Sequence, residues 1–93
     1  MYATVRSYPG SDELADALLE NESDVKQLIS TIDGFRAYYL VRTADGTTSI
    51  SVFENEAGAA ESNRVAAAWI AENLPDLTVS APQISAGEVV INA

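Results

Sequence analysis

Between Gly34 and Phe53 the chain reads as two β-strands facing each other across a turn, and this hairpin restricts the fold more than any other segment. Gly34-Phe35-Arg36-Ala37-Tyr38-Tyr39-Leu40-Val41-Arg42-Thr43 is rich in aromatic and β-branched side chains. Ala44-Asp45-Gly46-Thr47 interrupts the run, and Thr48-Ser49-Ile50-Ser51-Val52-Phe53 resumes it. With Asp45-Gly46 as a two-residue loop, a composition that tolerates positive φ at both positions, Ala44 meets Thr47. The register then pairs Val41 with Ile50 and Tyr39 with Val52 on one face, and Leu40 with Ser51 and Tyr38 with Phe53 on the other. A slip of one residue would set Val41 and Tyr39 opposite serines, so the two-residue loop is preferred.

Helical patterns flank the hairpin on both sides. A first strand, about Tyr2 to Tyr8, stops at the breaker pair Pro9-Gly10. Ser11 is placed to cap the helix that follows, with Asp12, Glu13 and Asp16 at the positive end of its dipole. Leu14, Ala17, Leu18, Val25, Leu28, Ile29 and Ile32 form its apolar stripe, which the polar run Asn21-Glu22-Ser23 interrupts, permitting a kink or an irregular turn. Asp33-Gly34 ends it, Gly34 being free to take the left-handed conformation. A second helix is predicted from about Ala57 to Leu74, stopped by Pro75. Its apolar face is Ala60, Ala66, Ala67, Ile70, Ala71 and Leu74, with Asn63 near the middle and Trp69 to one side. After an irregular connection through Pro82, a final strand is expected from about Ile84 to Asn92, on the β-branched signal of Val89-Val90-Ile91.

Composition removes whole classes of chemistry. The chain has 93 residues and reads as one domain, a size that buries only about 60% of its unfolded surface, so something extra should stabilise it. There is no cysteine for a disulfide or thiolate metal site, and no histidine, the commonest metal ligand and general base. With 14 acidic against 5 basic side chains and a net charge of −9, nucleic acid and anionic membrane surfaces are not expected partners. So acidic a surface fits either a high-salt habitat or an ordinary protein from a lysine-poor genome. Neither a leader nor a membrane-length apolar run precedes or follows these patterns, which predicts a cytoplasmic protein.

The order β-α-β-β-α-β predicts an α+β, ferredoxin-like fold, a four-stranded antiparallel sheet with both helices on one face, because right-handed crossovers place them together. The other face is then bare. Whether it carries Tyr38, Leu40 and Phe53 or the opposite set with Tyr39 and Val41, it forms an apolar patch of a kind monomers avoid. A homodimer packed through the open sheet faces covers it, and on the first assignment a charge at Leu40 or Phe53 breaks that dimer.

On Gly34-Phe35-Arg36-Ala37-Tyr38-Tyr39, on Ser51-Val52-Phe53-Glu54-Asn55-Glu56-Ala57 and on Glu61-Ser62-Asn63-Arg64 followed by Ala68-Trp69-Ile70, the chain resembles the antibiotic biosynthesis monooxygenase-like domains of the dimeric α+β barrel superfamily. The resemblance spans nearly the whole chain. Its motifs are specific for fold and poorly specific for activity, since such domains include cofactor-independent monooxygenases, haem-degrading enzymes and lactone isomerases. It implies a cofactor-free enzyme that oxygenates or isomerises a small aromatic or polyketide-like molecule between helices and sheet. Relatives that degrade haem ligate it through histidine, which this chain lacks, and the first strand lacks the asparagine that some members place there.

Asn63, Tyr39, Trp69 and Arg36 are the candidate substrate-binding residues; no catalytic residue and no metal ligand is assigned. Each also has a purely structural reading. Asn63 can hold a sheet-edge carbonyl or a buried water, Trp69 can anchor packing, and Arg36, like Arg6, can pair with a surface acid, though either arginine could instead bind an anionic substrate. Tyr38 and Tyr39 point to opposite sheet faces, and Tyr39 is assigned to the helix side. A general base would have to be a carboxylate or a tyrosine. The alternative function is a non-catalytic homodimeric binding or accessory module whose interior is filled by its own side chains. A cavity of about 300 Å³ or more around Asn63, with Tyr39 and one arginine converging on it, would favour the enzyme, and a dry, filled interior the accessory module.

Overall fold

The computed structural model describes residues 1–93. The elements run β1 (Tyr2–Pro9), α1 (Asp12–Glu20), α2 (Glu22–Ser30), β2 (Phe35–Thr43), β3 (Gly46–Phe53), α3 (Glu56–Asn73) and β4 (Gln83–Glu88). The strands form one antiparallel sheet in the order β2-β3-β1-β4, the ferredoxin-like arrangement expected from the element order. The helices pack on one face through two apolar clusters. Tyr8, Leu14, Leu18 and Val25 form one of them, and Ile29, Phe53 and Ala59 the other.

The expected kink is a complete break. Asn21 leaves the helical path at φ −109°, ψ 30°, and its Nδ2 donates to the Ala17 carbonyl at 2.8 Å, closing α1 with a side chain of its own. Gly34 takes φ +81° as predicted and turns the chain into β2. Ser11, however, does not cap through its hydroxyl. It is buried, and its carbonyl instead accepts from Thr47 Oγ1 at 2.8 Å, tying the start of α1 to β3. Capping by side chain occurs at α3, where Asn55 Oδ1 accepts from the Gly58 N–H at 3.0 Å.

The hairpin register differs from the expected one by two residues. Thr43 pairs with Gly46, Val41 with Thr48 and Tyr39 with Ile50, so Ala44-Asp45 is the loop and Gly46 already lies in the strand. The third strand decides this. Gly46 also pairs with Pro9 of β1, at φ +157°, where any Cβ would collide with the Tyr8 carbonyl oxygen, and the Gly10 N–H donates to the Asp45 carbonyl at 2.6 Å. Because the shift is even, each residue keeps its face. A bulge at Arg36, between the Phe35–Phe53 and Ala37–Val52 pairs, absorbs the remaining mismatch.

Which face is inside corrects a second expectation. Phe53 is fully buried under the helices, and Tyr38 and Leu40 pack there too, so a charge at Leu40 or Phe53 would disrupt the core rather than a subunit contact. The outer face carries Ala3, Val5, Ala37, Tyr39, Val41, Ile50 and Val52, with Tyr39 and Val41 exposed. The inner face of the central strands is polar by contrast: Thr4, Arg6, Thr47, Ser49 and Ser51 are all buried. The alternation is inverted, with small polar residues inside and aliphatic ones outside.

One boundary and one helix face also move. β4 ends at Glu88, not near Asn92, because its partner β1 runs out at Tyr2; a last bond from the Val89 N–H to the Met1 carbonyl leaves Val90 and Ile91 exposed. In α3 the buried stripe is Gly58, Ala59 and Ser62, continuing through the half-buried Ala66, Trp69 and Ile70, while Ala60, Ala67 and Ala71 are exposed. The helix is thus turned by about one position from the predicted face, and Asn63 sits at the edge of the contact rather than its middle. Small residues set that rotation. Gly58 lies against Phe53 and the Asp33 carbonyl, an approach that leaves no room for a side chain. No helix is long and apolar enough to cross a membrane.

Candidate functional site

The site grows out of β1. Its two-residue period sends Thr4, Arg6 and Tyr8 inward, and none of the three exposes more than 4% of its surface. Arg6 Nη1 donates to Asn63 Oδ1 at 2.8 Å and to Ser62 Oγ at 3.2 Å, both on α3, while Nη2 donates to Ser51 Oγ on β3 at 3.0 Å. Thr4 Oγ1 adds a second bond to Asn63 Oδ1, at 3.1 Å. A guanidinium has no acceptor atom, so the Asn63 atom facing it must be the carbonyl oxygen. The amide's Nδ2 is left without a partner in the chain.

Every contact of Arg6 is to a neutral group. The other four basic side chains pair with acids, Lys26 with Glu22, Arg36 with Glu54, Arg42 with Asp16 and Arg64 with Glu61, and all these pairs lie in solvent. In a chain with 14 carboxylates, the one buried cation is the one without an anion. Burying an ionised group without a counter-charge costs several kcal/mol, which three charge-assisted hydrogen bonds of about 1.5–3 kcal/mol each offset.

Arg6, Tyr8 and Asn63 line a cleft between α3 and the connection from Leu74 to Pro82, and Arg6 and Tyr8 form a wall it shares with a second, smaller space. The cleft encloses about 510 Å³, within the range of small-molecule sites, and is walled mainly by Ile70, Leu74, Leu77, Val79 and Ile84. Behind this wall lies a gap of about 20 Å³, the size of one water, bordered by Arg6, Tyr8, Tyr38, Ser49 and Trp69. Ser49 Oγ is buried there with no hydrogen-bond partner in the chain. Burial pushes the Tyr8 phenol above its usual 10.0, against the pull of Arg6. Burial raises Tyr38 likewise; Arg6 opposes this and Tyr8 adds to it, so both rings stay neutral near pH 7. A second concavity, about 620 Å³ between Thr31–Asp33 and the start of α3, presents Asp33 and Glu61 but no buried polar group.

Of the four predicted site residues the fold puts two at cavities, and at different ones. Asn63 reaches the cleft and Trp69 the small gap behind it. Tyr39 is on the outer sheet face, 58% exposed, and Tyr38 takes the inner place assigned to it. Arg36 sits on the bulge in solvent, 3.4 Å from Glu54, and touches neither cavity. Sequence reasoning weighed Arg6 as a surface ion-pair residue or a contact for an anionic substrate, and did not place it among the four site residues. The signal was in the alternation: Arg6 shares a strand face with Tyr8, which must be buried if the Pro9-Gly10 turn is to lead the helix back over the sheet.

No family model matches the sequence, and no curated protein does either. Solved structures do. The heme-degrader MhuD from Mycobacterium tuberculosis, with two hemes bound in its active site, superposes with a TM-score of 0.72 at 14% identity, over 100% of this chain and 99% of that one. A monooxygenase from Streptomyces coelicolor in complex with nanaomycin D gives 0.61 at 18% identity, over 98% and 91%. A dimeric ferredoxin-like protein from an uncultured marine organism gives 0.68 at 10% identity, over 99% and 95%. The fold is that of the antibiotic biosynthesis monooxygenase-like proteins. At such identities the likeness extends to the fold and not to the residues of the cleft. Haem does not fit those residues: the chain offers iron no histidine or cysteine, and burial holds the nearest phenol, Tyr8, in its protonated form. No group of three or more acidic side chains is placed to hold a metal ion.

Proposed function

We propose that the chain is a homodimeric, cofactor-independent enzyme of the monooxygenase type, which binds a small aromatic or polyketide-like molecule in the cleft beside α3 and oxygenates or isomerises it. The cleft carries this reading: about 510 Å³, mainly apolar, with the amide of Asn63 fixed in its lining by Arg6 and Thr4. With Oδ1 committed to two donors, Nδ2 is held as a preorganised donor for negative charge that develops on a substrate oxygen. In an oxygenation a methylene between unsaturated groups loses its two hydrogens as water with one atom of O₂ and retains the other atom as a carbonyl. The chain's part is to stabilise the electron-rich anion that O₂ attacks and to keep water from it.

The inverted sheet supports the homodimer. Seven aliphatic or aromatic residues of the outer face have no covering element within the chain, and a second copy placed there buries both sets at once. The structural likeness to a dimeric ferredoxin-like protein is consistent with that.

Mass spectrometry of small molecules released from the purified native protein tests the ligand. An aromatic or polyketide-like compound is expected, and its titration into Asn63→Ala is expected to show weaker binding to an unchanged dimer. If nothing copurifies and no member of an aromatic ligand panel shifts the melting temperature, the accessory-module reading replaces this one.

A further inference from the structure

Resting on the small-molecule reading of the cleft, we propose that its ligand is an amphipathic monocarboxylate, whose carboxylate lies against Arg6 and Tyr8 while its apolar body runs along α3 toward Leu74. The charge inventory argues for an anion. Arg6 is buried, has no acid within reach, and is the only basic residue lining the cleft, whereas each of the other four basic side chains has found an acid at the surface. Packing alone would not retain a guanidinium here, since a methionine of similar length fills the same space without a charge to desolvate.

The hydrogen-bond count agrees. Nη1 and Nη2 donate three bonds to Asn63, Ser62 and Ser51, and the phenols of Tyr8 and Tyr38 also lie within hydrogen-bonding reach of Arg6, so every partner the guanidinium has is neutral. Ser49 Oγ, which has no partner in the chain, borders the gap that shares Arg6 and Tyr8 with the cleft. A cation held only by neutral groups in the lining of an apolar cleft favours a ligand that brings a negative charge and acceptors, which an ionised carboxylate does.

One cation limits the charge to one. The cleft has no second basic side chain for a phosphate or a dicarboxylate, and the net charge of −9 repels any surplus. A carboxylic acid, with its ordinary pKa near 4, arrives ionised at neutral pH, and the Arg6 guanidinium opposes the rise that burial brings. A phenol does not, since the two tyrosines beside Arg6 are themselves held protonated by burial.

The test uses the intact protein and three probes of one shape: 1-naphthoate, 1-naphthamide and 1-naphthol, titrated at neutral pH with Trp69 fluorescence and calorimetry as readouts. The carboxylate is expected to bind about tenfold or more tighter than either neutral probe, and Arg6→Met is expected to erase that preference. Equal binding of acid and amide, or a preference that survives in Arg6→Met, overturns the monocarboxylate and leaves the cleft as a small-molecule site. Binding of none of the three overturns the cleft reading itself. Should Arg6→Met fail to fold, the wild-type comparison of acid with amide decides on its own, and Arg6→Lys, which keeps the charge, is expected to keep part of the preference.

Discussion

Replacing Gly58 by alanine sets two physical effects against each other with opposite signs. Alanine is the better helix former, worth up to about 1 kcal/mol, and Gly58 lies in the first turn of an 18-residue helix, so propensity predicts stabilisation. The contact geometry predicts the reverse. A Cβ at Gly58 would stand 2.9 Å from Phe53 Cδ1, 3.0 Å from Phe53 Cβ and 3.0 Å from the Asp33 carbonyl oxygen. None of these can move easily. Phe53 is fully buried, with its ring edge-on to Phe35 at 6.0 Å, and the next carbonyl along from Asp33, that of Gly34, is pinned by the Glu54 N–H at 2.8 Å. Forcing a methyl into such packing costs about 1–3 kcal/mol, which outweighs the propensity gain. The expected net loss is about 1–2 kcal/mol, a melting temperature lower by roughly 4–15 °C for a chain of this size. Urea unfolding of wild type and Gly58→Ala measures it directly, with equal m-values as the check on two-state behaviour. A variant as stable as the wild type, or more so, would refute the claim that the close approach of α3 to the hairpin positions Ser62 and Asn63 over Arg6.

Other expectations are quicker to state. Where the proposed homodimer forms, Tyr39→Asp or Val52→Asp, on the outer face, should give monomers in light scattering, whereas a dimeric mass in both variants would remove that face from the interface. Asn55→Ala should lower stability by about 1 kcal/mol in the same urea assay, through loss of the α3 cap. Tyr8 and Tyr38 bind their protons more tightly folded than unfolded, so their stabilising contribution is complete below pH 10.0 and is lost as pH rises through their raised folded values. The slope in that window approaches about 1.4 kcal/mol per pH unit per tyrosine, and it should shrink in Tyr38→Phe when stability is followed from pH 9 to 12. A pH-independent stability across that range would contradict the burial of both phenols.

Periodicity made the architecture legible because it reports backbone geometry directly. The strand order, the break at Asn21 and the left-handed Gly34 follow from local patterns that tertiary contacts did not override. Where a third element intervened, local reasoning fell short. The hairpin turn moved by two residues because Gly46 must pass under Tyr8, a constraint from β1 that no two-strand pairing contains. Sheet facing failed for a deeper reason. Hydrophobic alternation identifies two faces but ranks them by apolarity, and here the more aliphatic face, with Val41, Ile50 and Val52, is the one the helices do not cover. Tyr39 was misplaced for that reason, and Arg6, charged and next to Val5, looked like a residue bound for solvent. Asn63 was recoverable since a lone amide on an alanine-rich stripe stands out whichever way the helix is turned.

The polar inner layer of the sheet has a consequence for how such a chain can change over time. Thr4, Thr47, Ser49 and Ser51 are small and contribute little to the clusters around Leu14 and Phe53, which hold the helices down. Ser49, whose hydroxyl has no partner in the chain, can be exchanged for alanine without breaking a bond of the scaffold, whereas Thr47 also ties α1 to β3, and Thr4 and Ser51 hold Asn63 and Arg6 in place. A lineage built on this plan has that one hydroxyl as its cheapest point of change, and each of the others carries a structural cost.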